Sequence, residues 1–263
     1  MTEQGALSVM QSGSGETTVV LLHGLFGNAR NLGMLGRALG GKRQILSVDL
    51  PGHGNSPHEA RYSIEIMAKR VWQTLRARGV ERYGLLGHSL GGKVAMAMAL
   101  AQPREVQRLL VADIAPVRYP PRHEKVFAAL DALDLTAIGS RADADAVLAR
   151  ELDDLVLRQF LLQNLRRDGQ QYAWRFDLAG LKRDYAALSE APSASRPAGE
   201  ALAGPVLFVA GERSNYLLPE YEKACTALFA GAKFERIADA GHWLHAEQPE
   251  IFAQIAEKFF TIE

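Results

Sequence analysis

A serine held at the tip of a strand-to-helix turn leaves a chain few architectures to choose from. The pentapeptide Gly87-His88-Ser89-Leu90-Gly91 follows an apolar run, Tyr83 to Leu86, and precedes Gly92-Lys93 and the small-residue stretch Val94 to Ala101. That order reads as strand, sharp turn, helix, with the Ser89 hydroxyl at the turn: the G-x-S-x-G elbow. The glycines are needed because the serine is strained there and only residues without a side chain let strand and helix approach closely.

The rest of the chain fits the same layout. Short runs rich in Val, Ile and Leu alternate with segments of helical period, the pattern of βα units around a mostly parallel sheet. Strands are expected at Leu7 to Met10, Val19 to His23, Gln44 to Asp49, Tyr83 to Leu86, Arg108 to Ala112, Val206 to Ala210 and Phe234 to Ile237. Helices are expected at Asn31 to Leu39, Ile64 to Arg78, Gly92 to Gln102, Pro219 to Phe229 and Pro249 to Phe260. Ligands of such sheets sit beyond the carboxyl ends of the strands, where the unusual residues of this sequence fall.

Between Pro116 and Pro205 the alternation stops. This stretch opens on Pro116, Pro120 and Pro121, closes on the Pro/Ser/Ala-rich Ala191 to Ala198, and offers no β run. Helical patterns lie inside it, as at Leu152, Leu155, Val156 and Gln159, and Ser140-Arg141-Ala142-Asp143 has the form of a capping box with Asp in place of Glu. The expectation is a core domain from residues 1–115 and 206–263 with a helical cap over 116–205.

Composition removes several function classes. Thirty basic residues balance thirty acidic ones among 263, so there is no electrostatic footprint for nucleic acid or an anionic membrane, and a small-molecule partner is expected. No stretch is long enough to span a bilayer, and Met1 to Glu16 is polar and Gly/Ser-rich without an apolar core, so the expected compartment is the cytoplasm. The single cysteine, Cys225, excludes an intramolecular disulfide and reads as a packed thiol in a helix. No cluster has metal-ligand spacing, and neither metal nor cofactor is expected.

A serine hydroxyl needs a base, usually a histidine oriented by a carboxylate. Of seven histidines, His242 follows the last expected strand in Ala240-Gly241-His242-Trp243 and falls at the same sheet edge as Ser89. His245 is too close to it to serve a second role. His23 and His53 read as turn-stabilising groups, His88 is turned away from Ser89 by the elbow, and His58 and His123 have no motif around them.

Four ordered motifs now stand together: His23-Gly24-Leu25-Phe26-Gly27, Asp49-Leu50-Pro51-Gly52-His53-Gly54-Asn55-Ser56, Gly87-His88-Ser89-Leu90-Gly91-Gly92 and Gly241-His242-Trp243. In this order and over nearly the whole chain outside the insertion, they resemble the α/β-hydrolase superfamily. The resemblance implies an eight-stranded sheet, a helical cap over the site, a triad in the chain order Ser, acid, His, and cofactor-independent acyl transfer to water. Many members carry the acid in a Gly-x-x-Asp context after the strand that follows the cap, where this chain reads Gly211-Glu212-Arg213-Ser214-Asn215. Three acids stay open: Asp113, at the strand end before the cap, is preferred; Glu212 is second; Asp239 is too near His242 and reads as a cap of its loop. An acid at Asp113, together with Asn31-Leu32-Gly33 and Trp174-Arg175-Phe176-Asp177-Leu178, resembles the YbfF-type esterases, which act on short esters and acyl thioesters.

The mechanism expected is nucleophilic attack by Ser89, with His242 as base and Asp113 orienting it, and an oxyanion hole from the backbone N–H groups of Leu25 and Leu90, with Phe26 as the alternative to Leu25. Phe26, Tyr119, Trp174, Phe176, Tyr185 and Trp243 are the candidates for lining the substrate pocket, and Arg122 and Arg175 could meet an anionic tail. The alternatives are a non-hydrolytic or carbon–carbon-cleaving enzyme on the same scaffold and a catalytically silent binding protein.

Overall fold

The computed structural model describes residues 5–193 and 202–261. In chain order the elements are β1 (Val9–Ser12), β2 (Thr17–Leu22), α1 (Gly33–Leu39), β3 (Arg43–Val48), α2 (Ile64–Ala77), β4 (Tyr83–His88), α3 (Leu90–Ala101) and β5 (Val106–Ala112). Next come α4 (Glu124–Ala132), α5 (Arg141–Leu148), α6 (Leu155–Leu162), β6 (Leu165–Asp168), β7 (Gln171–Trp174), α7 (Leu178–Arg183) and α8 (Tyr185–Ser189). The chain ends with β8 (Val206–Gly211), α9 (Glu222–Leu228), β9 (Lys233–Ile237), α10 (Leu244–Glu247) and α11 (Pro249–Phe260).

Seven strands form one sheet in the order β1-β3-β2-β4-β5-β8-β9, parallel throughout except for β1 against β3. The side-chain period of two divides its apolar residues cleanly between the faces. Val20, Leu22, Leu85, Leu109 and Val111 join the cluster under α2 and α3, while Val19, Leu21, Leu86, Leu110 and Ala112 join the cluster under α1 and α11. Both faces are covered, so β4 is buried along its whole length, as a central parallel strand requires. Helix α3 is buried on every side and small-residue-rich, which lets it lie close over the sheet behind Ser89.

Two expectations are corrected. The resemblance implied an eight-stranded sheet, and the main sheet has seven strands among the described residues. Ahead of β1, Leu7 N–H donates to the Thr74 hydroxyl at 3.3 Å and Ser8 N–H to the Ser56 hydroxyl at 2.9 Å, so the segment's donors are spent on side chains rather than on a further strand. The stretch between β5 and β8 was expected to hold no β structure, yet β6 and β7 pair as an antiparallel hairpin. Asp168 pairs with Gln171, leaving a two-residue loop whose first residue, Gly169, has φ +61°, the position where a type II′ turn asks for glycine. The helices α4 to α8 lie in the same stretch, and the closing linker Ala191 to Ala198 lies mostly outside the described residues, as do Met1 to Gln4 of the N-terminal reading.

Candidate active site

Ser89, Asp113 and His242 each lie just past the carboxyl end of a strand: β4, β5 and β9. The elbow is built as its glycines demand. A Cβ on Gly87 would lie 2.1 Å from the Gly91 carbonyl oxygen, and one on Gly91 would lie 2.3 Å from that of Leu22. Ser89 has φ 54° and ψ −119°, a conformation L-residues rarely adopt. Phe26, Asp113 and Asp239 also have positive φ, so backbone strain in non-glycine residues gathers around one place.

Across these strand ends the three side chains meet. His242 Nε2 lies 3.0 Å from Ser89 Oγ, and His242 Nδ1 lies 2.7 Å from Asp113 Oδ2. Asp113 is fully buried, and its carboxylate also accepts Gly211 N–H at 3.0 Å and the Ser214 hydroxyl. Those donors fix the imidazole tautomer, because a carboxylate at Nδ1 keeps the proton there and leaves Nε2 to face Ser89. The Tyr216 ring stacks on the imidazole at 3.9 Å between centroids and 22° between planes. Glu247 holds the His242 loop from below, its two oxygens accepting Gly241 N–H at 2.7 Å and Trp243 N–H at 3.1 Å.

Glu212 does not reach this group. Its side chain points to the surface and accepts Asp239 N–H at 3.1 Å, so it braces the loop that carries His242. Asp239 is held through its backbone, by Glu212 and by Arg213 on its carbonyl, rather than capping the loop with its carboxylate. Ser214, Tyr216 and Glu247 were not singled out from the sequence. For Ser214 a signal existed: it stands where the Gly-x-x-Asp pattern puts its acid.

Three of the other histidines, His23, His53 and His88, are tied to backbone groups. His23 Nε2 accepts Leu50 N–H at 3.0 Å while its Nδ1 donates to Gly24, and His53 Nε2 accepts Phe26 N–H at 3.2 Å while its Nδ1 donates to Pro51. Burial holds both below the ordinary histidine range, His53 at about 3. His88 donates to the His242 carbonyl at 2.7 Å and is likewise pushed well down by burial. His123 and His245, desolvated beside the others, fall to about 4. Burial also pushes the Cys225 thiol up to about 12, in keeping with a packed side chain.

Two clefts, each enclosing about 40 Å³, flank Ser89. One is walled by Leu25, Phe26, Leu157, Phe160 and Trp243, the other by Leu90, Ile114, Tyr119, Tyr185 and Tyr216, and His123 overhangs both. Trp174 and Phe176 line neither: their rings stack at 5.1 Å, and Phe176 packs on Phe26 at 5.2 Å. Arg122 lies over the rings of Tyr119 and Tyr216 and bonds Asn215 at 2.9 Å, and Arg175 reaches Asn55 at 3.3 Å. Lys93, also buried at the second cleft, donates to the carbonyls of Ser189 (2.7 Å) and Glu190, and desolvation lowers it to about 7. A larger hollow of about 490 Å³ opens at the opposite edge of the sheet, by Thr17, Gly84 and Arg108, away from these groups.

Two backbone N–H groups of residues that line the second cleft with Ser89 have no internal partner among the described residues. Leu90 is the first residue of α3 and so has no acceptor within the helix. Leu25 N–H has no hydrogen-bond acceptor among the described residues, whereas Phe26 N–H is taken by His53. The alternative donor Phe26 is therefore already committed.

The chain belongs to the α/β-hydrolase fold family, whose profile matches residues 17–249, and within it to the esterase/lipase type. It is 33% identical over 255 residues to esterase YbfF of Escherichia coli, covering 95% of this chain and 96% of that one. It is 34% identical to the mouse sn-1-specific diacylglycerol lipase ABHD11, over 92% of this chain and 80% of that protein. Among solved structures a marine microorganism esterase superposes with a TM-score of 0.92 at 32% identity, covering 97% of this chain and 99% of the other. The fold class, the hydrolase type and the YbfF-like character expected from the motifs all hold. Among the described residues no helix is long and apolar enough to cross a membrane.

Proposed function

We propose that the protein is a serine carboxylesterase that also accepts acyl thioesters, working through Ser89, His242 and Asp113 by way of an acyl-enzyme. The observation that carries this reading is the unbroken line from Ser89 Oγ through His242 to Asp113, at 3.0 and 2.7 Å. Ser89 Oγ attacks the substrate carbonyl as its proton passes to His242 Nε2; Asp113 steadies the resulting imidazolium. The developing oxyanion lies against Leu25 and Leu90 N–H, at the positive end of the α3 dipole. His242 then protonates the leaving alcohol or thiol, and water repeats the sequence to free the acid.

The described residues between 116 and 205 act as the cap that shelters this chemistry, with Phe26, Tyr119, Tyr185 and Trp243 against the substrate and Trp174 and Phe176 as backing. Clefts of about 40 Å³ suit acyl and leaving groups of a few heavy atoms, so short chains should be preferred. The test is a fluorophosphonate probe, mapped by peptide mass spectrometry, beside a chain-length panel of p-nitrophenyl esters and acyl thioesters. The adduct should fall on Ser89 and turnover should vanish in Ser89→Ala while the circular dichroism spectrum is kept. Labelling at another residue overturns the assignment.

A further inference from the structure

The turn that presents Leu25 is held from the cap. Residues 24–27 form a turn closed by Gly27 N–H on the Gly24 carbonyl at 3.0 Å, with Phe26 at φ +61° in the third position. That is the place where a type II turn calls for glycine, and a phenylalanine stays in it only if its surroundings fix it. Here they do so on both sides. Phe26 N–H donates to His53 at 3.2 Å, and the Phe26 carbonyl accepts from Asn164 Nδ2 at 2.7 Å.

Asn164 lies between α6 and β6 and is fully buried. Its Oδ1 accepts Asn28 Nδ2 at 2.7 Å, its carbonyl accepts Arg175 N–H at 2.8 Å and its N–H donates to Leu161 at 2.9 Å. The amide orientation is forced, since the Phe26 carbonyl can only accept. Holding the cap down does not by itself require a buried amide at this spot: the Phe26 ring already packs on Phe127 and Phe176, each at 5.2 Å.

We propose that Asn164 is a positioning residue for the oxyanion hole: seating the cap brings its amide to the Phe26 carbonyl, which locks the left-handed turn and keeps Leu25 N–H directed at the oxyanion over Ser89. This rests on the roles proposed above for Ser89 and Leu25. The hole is then complete only when the cap is seated.

Asn164→Asp separates the two side-chain bonds, for it keeps an acceptor toward Asn28 and sets an oxygen against the Phe26 carbonyl. Asn164→Ala removes both. Gln163→Ala is the control, since it deletes the neighbouring cap-to-core bond between Asn31 and Gln163 at 2.9 Å without touching Phe26. Rates are measured on p-nitrophenyl acetate per Ser89 titrated to completion with a fluorophosphonate, so an unfolded fraction does not enter. Both Asn164 variants should lose on the order of 10- to 100-fold in kcat with KM within about twofold, and lose affinity for a boronic acid analogue of the tetrahedral state by the same factor. Gln163→Ala should match the parent in all three. Asn164 variants that lose thermal stability but keep kcat and analogue affinity, or that raise KM alone, would show Asn164 to be an anchor only. A parent enzyme that takes no label on Ser89 would instead defeat the underlying assignment.

Discussion

At Ser89, Asp113 and Phe26 the backbone is bent into conformations most residues avoid, and desolvated imidazoles lie around them, His53 accepting Phe26 N–H. His23, His53, His88, His123 and His245 are all held below their ordinary value of 6.5 by burial. The unfolded chain binds protons below pH 6.5 that the folded chain refuses, down to about 4 at His123 and His245 and about 3 at His53, so their stabilising effect is full above 6.5 and is lost as pH falls. Urea unfolding should therefore show a midpoint that drops steeply between pH 7 and 5; a flat midpoint would contradict the neutral assignments. His23 and His53 could be read as turn residues because Gly24, Pro51 and Gly52 stand beside them. Nothing local marks Asn164, whose partner Phe26 lies 138 residues away and is met only through the cap; Ser214 carries the Gly-x-x-Asp spacing alone, its partner Asp113 lying 101 residues away at a neighbouring strand end.

The elements that were legible in the sequence are those whose period matches their burial. Strands β2 to β5 and β8 are short and largely apolar because the sheet is covered on both faces there, and α11 falls on Pro249 to Phe260 as read. The β6–β7 hairpin was missed because it offers little apolar alternation: Arg166, Arg167 and Asp168 are polar, and only the Asp168-Gly169 pair signals the turn. Helix α6 begins where Asp154 accepts the N–H groups of Val156 and Leu157 at 2.8 and 3.2 Å. Its Leu157 and Phe160 wall the first cleft. Asp154→Ala should cost about 1 kcal/mol of stability through the lost cap and loosen that wall. The expected kinetic result is a higher KM at nearly constant kcat, read from steady-state rates on p-nitrophenyl esters; a fall in kcat alone would argue against a role for α6 at the substrate.

Over the whole molecule, the chain brings together groups from its first, second and last thirds because parallel strands all deliver their carboxyl ends to one edge. The serine and the histidine were legible because each sits in a short motif. The acid was only half legible: the strand end at Asp113 qualified, but so did Glu212, and the choice depends on which of two neighbouring strand ends faces His242. In the fold β5 and β8 are adjacent, Asp113 turns inward beneath the imidazole, and Ser214 on the β8 side bonds the carboxylate. The most direct test is kcat/KM of Asp113→Asn against Glu212→Gln on one short p-nitrophenyl ester. Asp113→Asn should lose roughly 10⁴-fold, as a triad does when its carboxylate becomes an amide, while Glu212→Gln stays near the parent; the opposite pattern would contradict the account.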